Sequence, residues 1–566
     1  MTILGIDLGT TNSASAVWRD DKVELIPNSS GELLTPSAIF IDSDNTIHVG
    51  QVARERSVTH PKQTAQVFKR YMGSDKKIKL NGKNYTAVEL SSFVLSKLKQ
   101  DAEEHLGEVI TQAVISVPAY FNDTQRKATI QAGEVAGLTV ERLVNEPTAA
   151  AIAYGLHDKP EHSQFMVLDL GGGTFDVSIM EYFSGVLEVH ASCGDNFLGG
   201  EDFLDNLVDH YLLQANSSRN QLKPADLEKI RLKMEWAKRE FNTSETVKIE
   251  PIVDSISEAI TITKEQFVSV TQPLLRRIQQ PIETTLRDAN LRPADLDEII
   301  LVGGATRMQS LRSTVAKMFR RLPMANLDPD LVVAMGAGIQ AGLKARDKAL
   351  DDVVLTDVSP YTLGTGIINE ADISGTQGDL FSPILERNTV IPASRVANYF
   401  TVYDNQKQLE FTIYQGESRL VKNNISLGVL NVKIPKNKKG KEGAEVRFSY
   451  DMNGLLEVDI KVISTGETYY KMIQNAPGEL SEAALAESRK KLASLKFHPR
   501  EDDKNQVLIA RAERLFESRL SDQRHMIQSS LRYFEEVLEK QDIAAIQEAQ
   551  LEFSDFLDHL EQDRLF

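Results

Sequence analysis

What this 566-residue chain can fold into is limited most by a phrase it writes twice. Residues 5–13 read GIDLGTTNS and residues 167–178 read VLDLGGGTFDVS. Each is an apolar run that ends in aspartate, passes one residue and turns on glycine and threonine. Strand-like residues flank both turns: TILGIDL (2–8) before SASAVWRDD (13–21), and FMVLDL (165–170) before FDVSIMEY (175–182). The spacing predicts two β-hairpins. Glycine at such a turn reaches positive φ and has no Cβ, so several backbone N–H groups can face one anion, and threonine adds a hydroxyl donor. An aspartate at the strand end repels a phosphate but can hold Mg2+ or its waters, which then bridge to it. A lone Asp-X-Gly turn is ordinary turn chemistry. Two of them predict two similar halves that face each other across a cleft and grip one polyphosphate.

Other phosphate motifs do not compete. No G-x-x-x-x-G-K-[ST] occurs, which excludes a P-loop. GAGIQA (336–341) fits a loose dinucleotide fingerprint, but it lies inside DLVVAMGAGIQAGLKAR, which reads as a helix. Close packing through small residues explains its glycines better. A third glycine turn, EIILVGGATRM (298–308), follows an apolar strand. In KMEWAKREF (233–241), Glu235, Lys238 and Arg239 fall at i, i+3 and i+4 and share one helix face. A carboxylate there can accept ribose hydroxyls and a guanidinium can stack on a base. Alone, the trio reads as a solvated charged face.

Length calls for several domains. With 81 acidic against 64 basic residues the net charge is −17, which argues against nucleic acid and anionic membranes as partners. The single cysteine, Cys193, excludes an internal disulfide and a cysteine metal cluster. No long apolar run predicts a membrane span. Asp7 interrupts the first apolar run, and no basic segment precedes it, so a signal peptide is not expected and a reducing cytoplasm fits.

After residue 350 the pattern changes. DDVVLTDVSP (351–360) is acidic, then apolar, then stopped by Pro360, and reads either as an edge strand or as a short sticky linker. NYFTVYDNQKQLEFTIYQGE, ISLGVLNVKI and AEVRFSYDMNGLLEVDIKV alternate with period two, which predicts an antiparallel β-sandwich. Residues 479–566 follow a helical pattern, clearest in ERLFESRLSDQRHMIQSSLRYFEEVLEK.

The series GIDLGTTNS, VPAYFNDTQRKAT (117–129), VNEPTAAAIAYG (144–155), VLDLGGGTFDVS, FLGGEDF (197–203) and LVGGATRM resembles the seventy-kilodalton heat-shock chaperones of the DnaK type, over nearly the whole length and in that family's order. The likeness is greatest to a divergent bacterial branch. It implies a multidomain chain: an α/β actin-like ATPase domain (1–350), an interdomain linker (351–357), a β-sandwich peptide-binding domain (358–478) and an α-helical lid (479–566).

The resemblance implies ATP or ADP with Mg2+ in the cleft, the metal held largely through water by Asp7, Asp169 and Glu146. Gly9, Thr10, Thr11, Asn12, Gly171, Gly172, Gly173 and Thr174 would cradle the phosphates, with Gly199, Gly200, Gly303 and Gly304 beside them. Lys69 would orient the attacking water; Glu146, Asp169 and Thr174 complete the catalytic set. Glu235, Lys238, Arg239, Arg307 and Asp330 would surround the adenosine, with Asn242 where the family usually has serine. A peptide groove would be lined by Ile367, Ile368, Val402, Leu409 and Phe411, its register disturbed by the insertion NEADISGTQGDLFS (369–382). Arg142, Val353, Val354, Leu355 and Asp357 would couple the domains.

Implied partners are extended apolar client peptides and a J-domain co-chaperone, met by a monomer. The segments after Lys69 and at 247–264 are short, which leaves the family's usual nucleotide-exchange factor with little handle. A small-molecule kinase or a filament protein of the same fold would explain the hairpins but not the second half of the chain.

Overall fold

The computed structural model describes residues 2–156, 159–183, 186–324, 326–345, 354–367, 380–451, 456–473, 505, 508–509, 511–512, 515–516, 521–540 and 543–562. Both hairpins form as spaced. Ile3–Asp7 and Asn12–Arg19 pair antiparallel with Asp7 opposite Ala14, and Ser163–Leu170 and Phe175–Phe183 pair antiparallel with Asp169 opposite Asp176.

The likeness of the two halves extends past the turns. Each hairpin's first strand has a parallel neighbour, Gln112–Val117 in one sheet and Glu298–Val302 in the other. Each second strand has an antiparallel third, Lys22–Ile26 or Val186–Asp195. The first sheet continues with Thr139–Asn145. Each half closes its own core: Leu4, Ile6, Leu95 and Ile115 are fully buried in one, Leu168, Val177, Phe203 and Met234 in the other. Removing any such side chain costs about 2–5 kcal/mol. Helices begin where the sequence supplies capping boxes. Thr86 and Glu89 open Ala87–Leu106, Asn122 and Gln125 open Asp123–Val135, and Thr263 and Gln266 open the long helix Lys264–Asp288.

Between the halves run the helices Glu146–Ala153 and Val332–Lys344, and GAGIQA sits inside the second as its pattern predicts. A Cβ at Gly336 would stand 1.9 Å from the Ala149 carbonyl oxygen, one at Gly5 2.3 Å from the Gly338 nitrogen, and one at Gly342 2.5 Å from the Trp18 ring. The first two bring backbone onto backbone, as close packing requires, and the third seats the Trp18 ring on the helix.

Residues 354 and 355 form a short strand paired parallel with the Val186–Asp195 strand, Val354 beside Val186 and Leu355 beside Leu187. The apolar centre of the acidic segment is thus an added edge strand on the second sheet. Val353 lies outside the described residues. Further on come two four-stranded sheets. One orders Leu380–Leu385, Leu363–Ile367, Gln408–Gln415 and Ile425–Lys433; the other orders Ala393–Phe400, Gly443–Tyr450, Leu456–Val462 and Thr468–Ile473. One apolar cluster draws on both, with Ile413 and Val432 from the first and Val446, Phe448, Val458 and Ile460 from the second. Of the helical C-terminal segment, Ser521–Lys540 and Ile543–Gln562 are described and meet through Phe534 and Phe553, ring centroids 4.8 Å apart. No helix among the described residues is long and apolar enough to cross a membrane.

Candidate functional site

The two glycine turns touch. A Cβ on Gly172 would stand 2.4 Å from Thr11 Cγ2, and one on Gly173 2.7 Å from Thr10 Cγ2, so only glycine lets the second turn lie against the first. Each turn is pinned from its own side. The Gly9 amide donates to Ser13 Oγ at 3.1 Å, Ser37 Oγ donates to the Gly9 carbonyl at 2.8 Å, and the Gly171 amide donates to the Thr174 carbonyl at 3.1 Å. The start of the helix Gly200–Gln214 docks behind the second turn, its Gly200 and Glu201 amides donating to the carbonyls of Gly171 and Gly172.

The turns floor a cleft of about 1140 Å³. Asp7, Lys69, Glu146, Asp169, Thr174 and the glycines at 9, 171, 172, 200, 303 and 304 line it, together with Thr10, Thr11 and Asn12. Glu235, Lys238, Arg239, Asn242, Arg307 and Asp330 line it as well. The fold therefore gathers residues from positions 7 to 330 at one place. Two expected members stand behind the wall instead. Gly173 packs on Thr10 and Arg70, and Gly199 packs on the Gly172–Gly173 backbone.

At the base of the cleft, Lys69 Nζ donates to Glu146 Oε1 at 2.8 Å in a buried pair. Burial, then Glu146, pushes the Asp7 carboxyl up to about 7, against a hydrogen bond from Ser116. Burial, Glu146, Asp176 and Asp7 push Asp169 well above the carboxylate range. Carboxylates that raise one another this way share a space in which a cation relieves them. Among the described residues no three such side chains converge closely enough to wrap a bare ion.

Lys69 is carried by the short helix Phe68–Tyr71, entered through Val67 at φ 58 and ψ 18. A β-branched residue in the left-handed region costs on the order of 1–2 kcal/mol. Val67→Asn, whose side chain tolerates that conformation, should stabilise the first half by about 1 kcal/mol. Calorimetry would read this as a later unfolding transition, and an unchanged transition would show that no strain is held there.

On the upper wall, the trio shares a face as spaced. Glu235 pairs with Lys238 at 2.6 Å and with Arg239 at 2.8 Å. Burial opposes charge on Glu235, but Lys238 and Arg239 outweigh it and hold its carboxyl below the usual range. Across from them Arg307 is held by Asp328 at 2.5 Å and by Asp330 at 2.9 Å. Asn242 Oδ1 accepts the Gln309 amide at 3.1 Å and so caps the helix Gln309–Phe319.

Three residues outside the cleft lining, but tied to the site or to Asp357, were missed from sequence. Arg70 reaches from the first half to Asp202 behind the second turn, with Nε on the Gly173 carbonyl at 3.1 Å, tying the halves together. Asp176, buried and pushed up to about 7 by burial and Glu146, accepts the Tyr120 amide at 2.8 Å. Asn145 donates to Asp357 Oδ2 at 2.6 Å. Arg70 adjoins Lys69 and Asp202 lies in FLGGEDF, so adjacency was the available signal. Arg142 donates to Gln340 at 3.0 Å and raises no direct ion pair with Asp357; it acts on that carboxylate at longer range.

Of the groove residues, Leu409 and Phe411 lie in the core shared by the two later sheets, Phe411 edge-on to Tyr399 with ring centroids 5.7 Å apart. Ile367 and Val402 are half-buried, and Ile368 lies outside the described residues.

The Hsp70 protein family matches residues 3–79 and 75–565 of the chain. The chaperone protein DnaK of Thermosipho africanus is 40% identical over 494 residues, which cover 85% of this chain and 81% of the relative. Those of Thermotoga neapolitana and Thermotoga maritima are 41% identical over 495 residues, with the same coverage. Agreement of that length, on a cleft floored by paired glycine turns, leaves one conclusion: the chain belongs to the Hsp70 family of ATP-dependent chaperones.

Proposed function

We propose that the nucleotide lies across the two touching turns and that its state sets how tightly the chain holds an extended apolar client segment. The contact between the turns carries this reading, because a phosphate chain laid there meets amides from both halves at once. Thr10, Thr11, Asn12, Gly171, Gly172 and Thr174 bind the phosphates, and Lys69 sets the attacking water while Glu146 holds the ammonium in place. Asp7 and Asp169, with Glu146, hold the waters around Mg2+. When bound, that ion would supply charge neutralisation at the phosphates. Glu235, Lys238 and Arg239 take the ribose and one face of the base, and Arg307 the other.

The domains follow the expected boundaries in this reading: an actin-like ATPase unit to residue 350, a linker at 351–357, a client-binding β-sandwich at 358–478 and a helical lid beyond. Clients lie beside Ile367, Ile368 and Val402, with Leu409 and Phe411 supporting the groove from below. The edge strand at Val354–Leu355, and Asp357 held by Asn145, report nucleotide state to the sandwich, and Arg142 meets a J-domain protein. The chain works as a cytoplasmic monomer. The connection between Thr246–Ile249 and Ile260–Thr263 folds Val253 and Ile256 into the core, so an exchange factor of the usual kind finds little to grip there.

A labelled apolar peptide should bind the ATP-loaded chain ten- to a hundredfold more weakly than the ADP-loaded chain, the usual range for coupling between two sites. Equal affinity in the two states would refute the coupling.

A further inference from the structure

The turn that joins Ile425–Lys433 to Gly443–Tyr450 is out of character with the rest of the chain. Four of its six residues 436–441 are lysine, in a protein of net charge −17. Lys436, Lys438, Lys439 and Lys441 are all exposed. The turn is nonetheless held in place. The Asn405 amide donates to the Asn437 carbonyl at 2.7 Å, the Lys439 amide to Asp404 Oδ1 at 2.8 Å, and the Gly440 amide to the Thr401 carbonyl at 2.9 Å. Asn437 Nδ2 donates to Glu442 Oε1 at 2.9 Å, so the nearest carboxylates, Asp404 and Glu442, are engaged in fixing the turn.

What the turn is fixed to matters more. Residues 401–405 carry Val402 and Tyr403, the latter 62% exposed, and Phe400 just before them is 54% exposed. The Phe400 ring lies over Gly443, where a Cβ would come within 2.7 Å of it. Lys407 stands on the same side, its carbonyl accepting the Ile434 amide at 3.0 Å. Exposed aromatic surface and a pinned turn that carries four exposed lysines therefore sit side by side.

We propose that this lysine turn is a charge-selecting rim of the client site, and that the chain prefers extended apolar segments flanked by aspartate or glutamate. The inference rests on the reading that clients lie beside Val402. A segment whose apolar residues cover Phe400 and Tyr403 places its flanks next to the lysines. Acidic flanks are then attracted and basic flanks repelled. Exposed pairs are individually weak and screened by salt, so the preference comes from several acting together.

Two labelled peptides sharing one leucine-rich core, flanked by glutamates or by lysines, test this with the full ADP-loaded chain. At low ionic strength the glutamate-flanked peptide should bind at least about fivefold more tightly. The gap should close at about 0.5 M salt and in the variant Lys436→Gln/Lys438→Gln/Lys441→Gln, while a neutral-flanked peptide binds that variant as before. Equal binding of the two peptides to the unaltered chain, or a preference that survives in the variant, overturns the proposal. A change in neutral-peptide affinity with no flank preference also overturns it. That outcome would assign the turn to the chain's own acidic helix Ile543–Gln562 instead. Failure of every peptide in either nucleotide state would bring down the client reading itself.

Discussion

Lys69→Ala should slow single-turnover ATP hydrolysis ten- to a hundredfold, about 1.4–2.7 kcal/mol of barrier, while ATP still binds through the turns and the upper wall. The reason is local. Lys69 is the cation at the base of the cleft, beside Asp7, Asp169 and Glu146. Without it, charge developing on the transferred phosphoryl group loses its nearest stabilising donor. The same change strands Glu146 as a buried carboxylate without its partner, a loss of about 3–5 kcal/mol of stability. Lys69→Ala/Glu146→Gln separates the two effects: it should recover much of the melting temperature and none of the rate. Wild-type single-turnover rates in Lys69→Ala, with nucleotide bound, would remove Lys69 from the chemistry.

The second large effect is expected at the edge strand. Thr356 donates its amide to the Leu187 carbonyl at 3.1 Å, directly after the pairing of Val354 and Leu355 with the second sheet. Thr356→Pro deletes that donor at the sheet's edge and disfavours the neighbouring pairing. Bound peptide should then no longer accelerate hydrolysis, and ATP should no longer weaken peptide binding, although each ligand alone binds as before. The coupling factor should fall from the ten- to hundredfold range to about one. Asp357→Asn gives a milder form, since Asn145 keeps a partner but the carboxylate's longer-range attraction for Arg142 and Arg126 is gone. Undiminished coupling in Thr356→Pro would show that the strand is only a tether.

The hairpins and the shared face of Glu235, Lys238 and Arg239 were legible because their signals are local: a turn needs glycine where it turns, and a helix repeats its face every three or four residues. Legibility failed wherever a role is set by what arrives from elsewhere in the chain. Arg70 reads as one more basic residue until Asp202 and the Gly173 carbonyl are brought to it. Asp176 follows a phenylalanine in an alternating strand, and only pairing opposite Asp169 brings it behind the cleft. Arg142 and Asp357 were placed by resemblance alone, and nothing local in the sequence names Gln340 and Asn145 as the partners of their short hydrogen bonds. Period-two alternation found the strand Gln408–Gln415 but could not tell a core-facing Leu409 or Phe411 from a groove-facing one, since both are apolar for different reasons.

The glycine contact between the two central helices has a mechanical meaning. Where Gly336 meets the Ala149 backbone, no side-chain ridge stands between the two central helices, and meshed ridges are what fix one helix against another. Such a surface works as a bearing: it keeps two bodies close and offers little resistance when one swivels on the other. The angle of the jaws is then set by the directional ties between them, Arg70 on Asp202 and the Gly173 carbonyl among them, and by whatever lies between the two turns. A molecule of three phosphates is thereby enough to steer a machine of 566 residues.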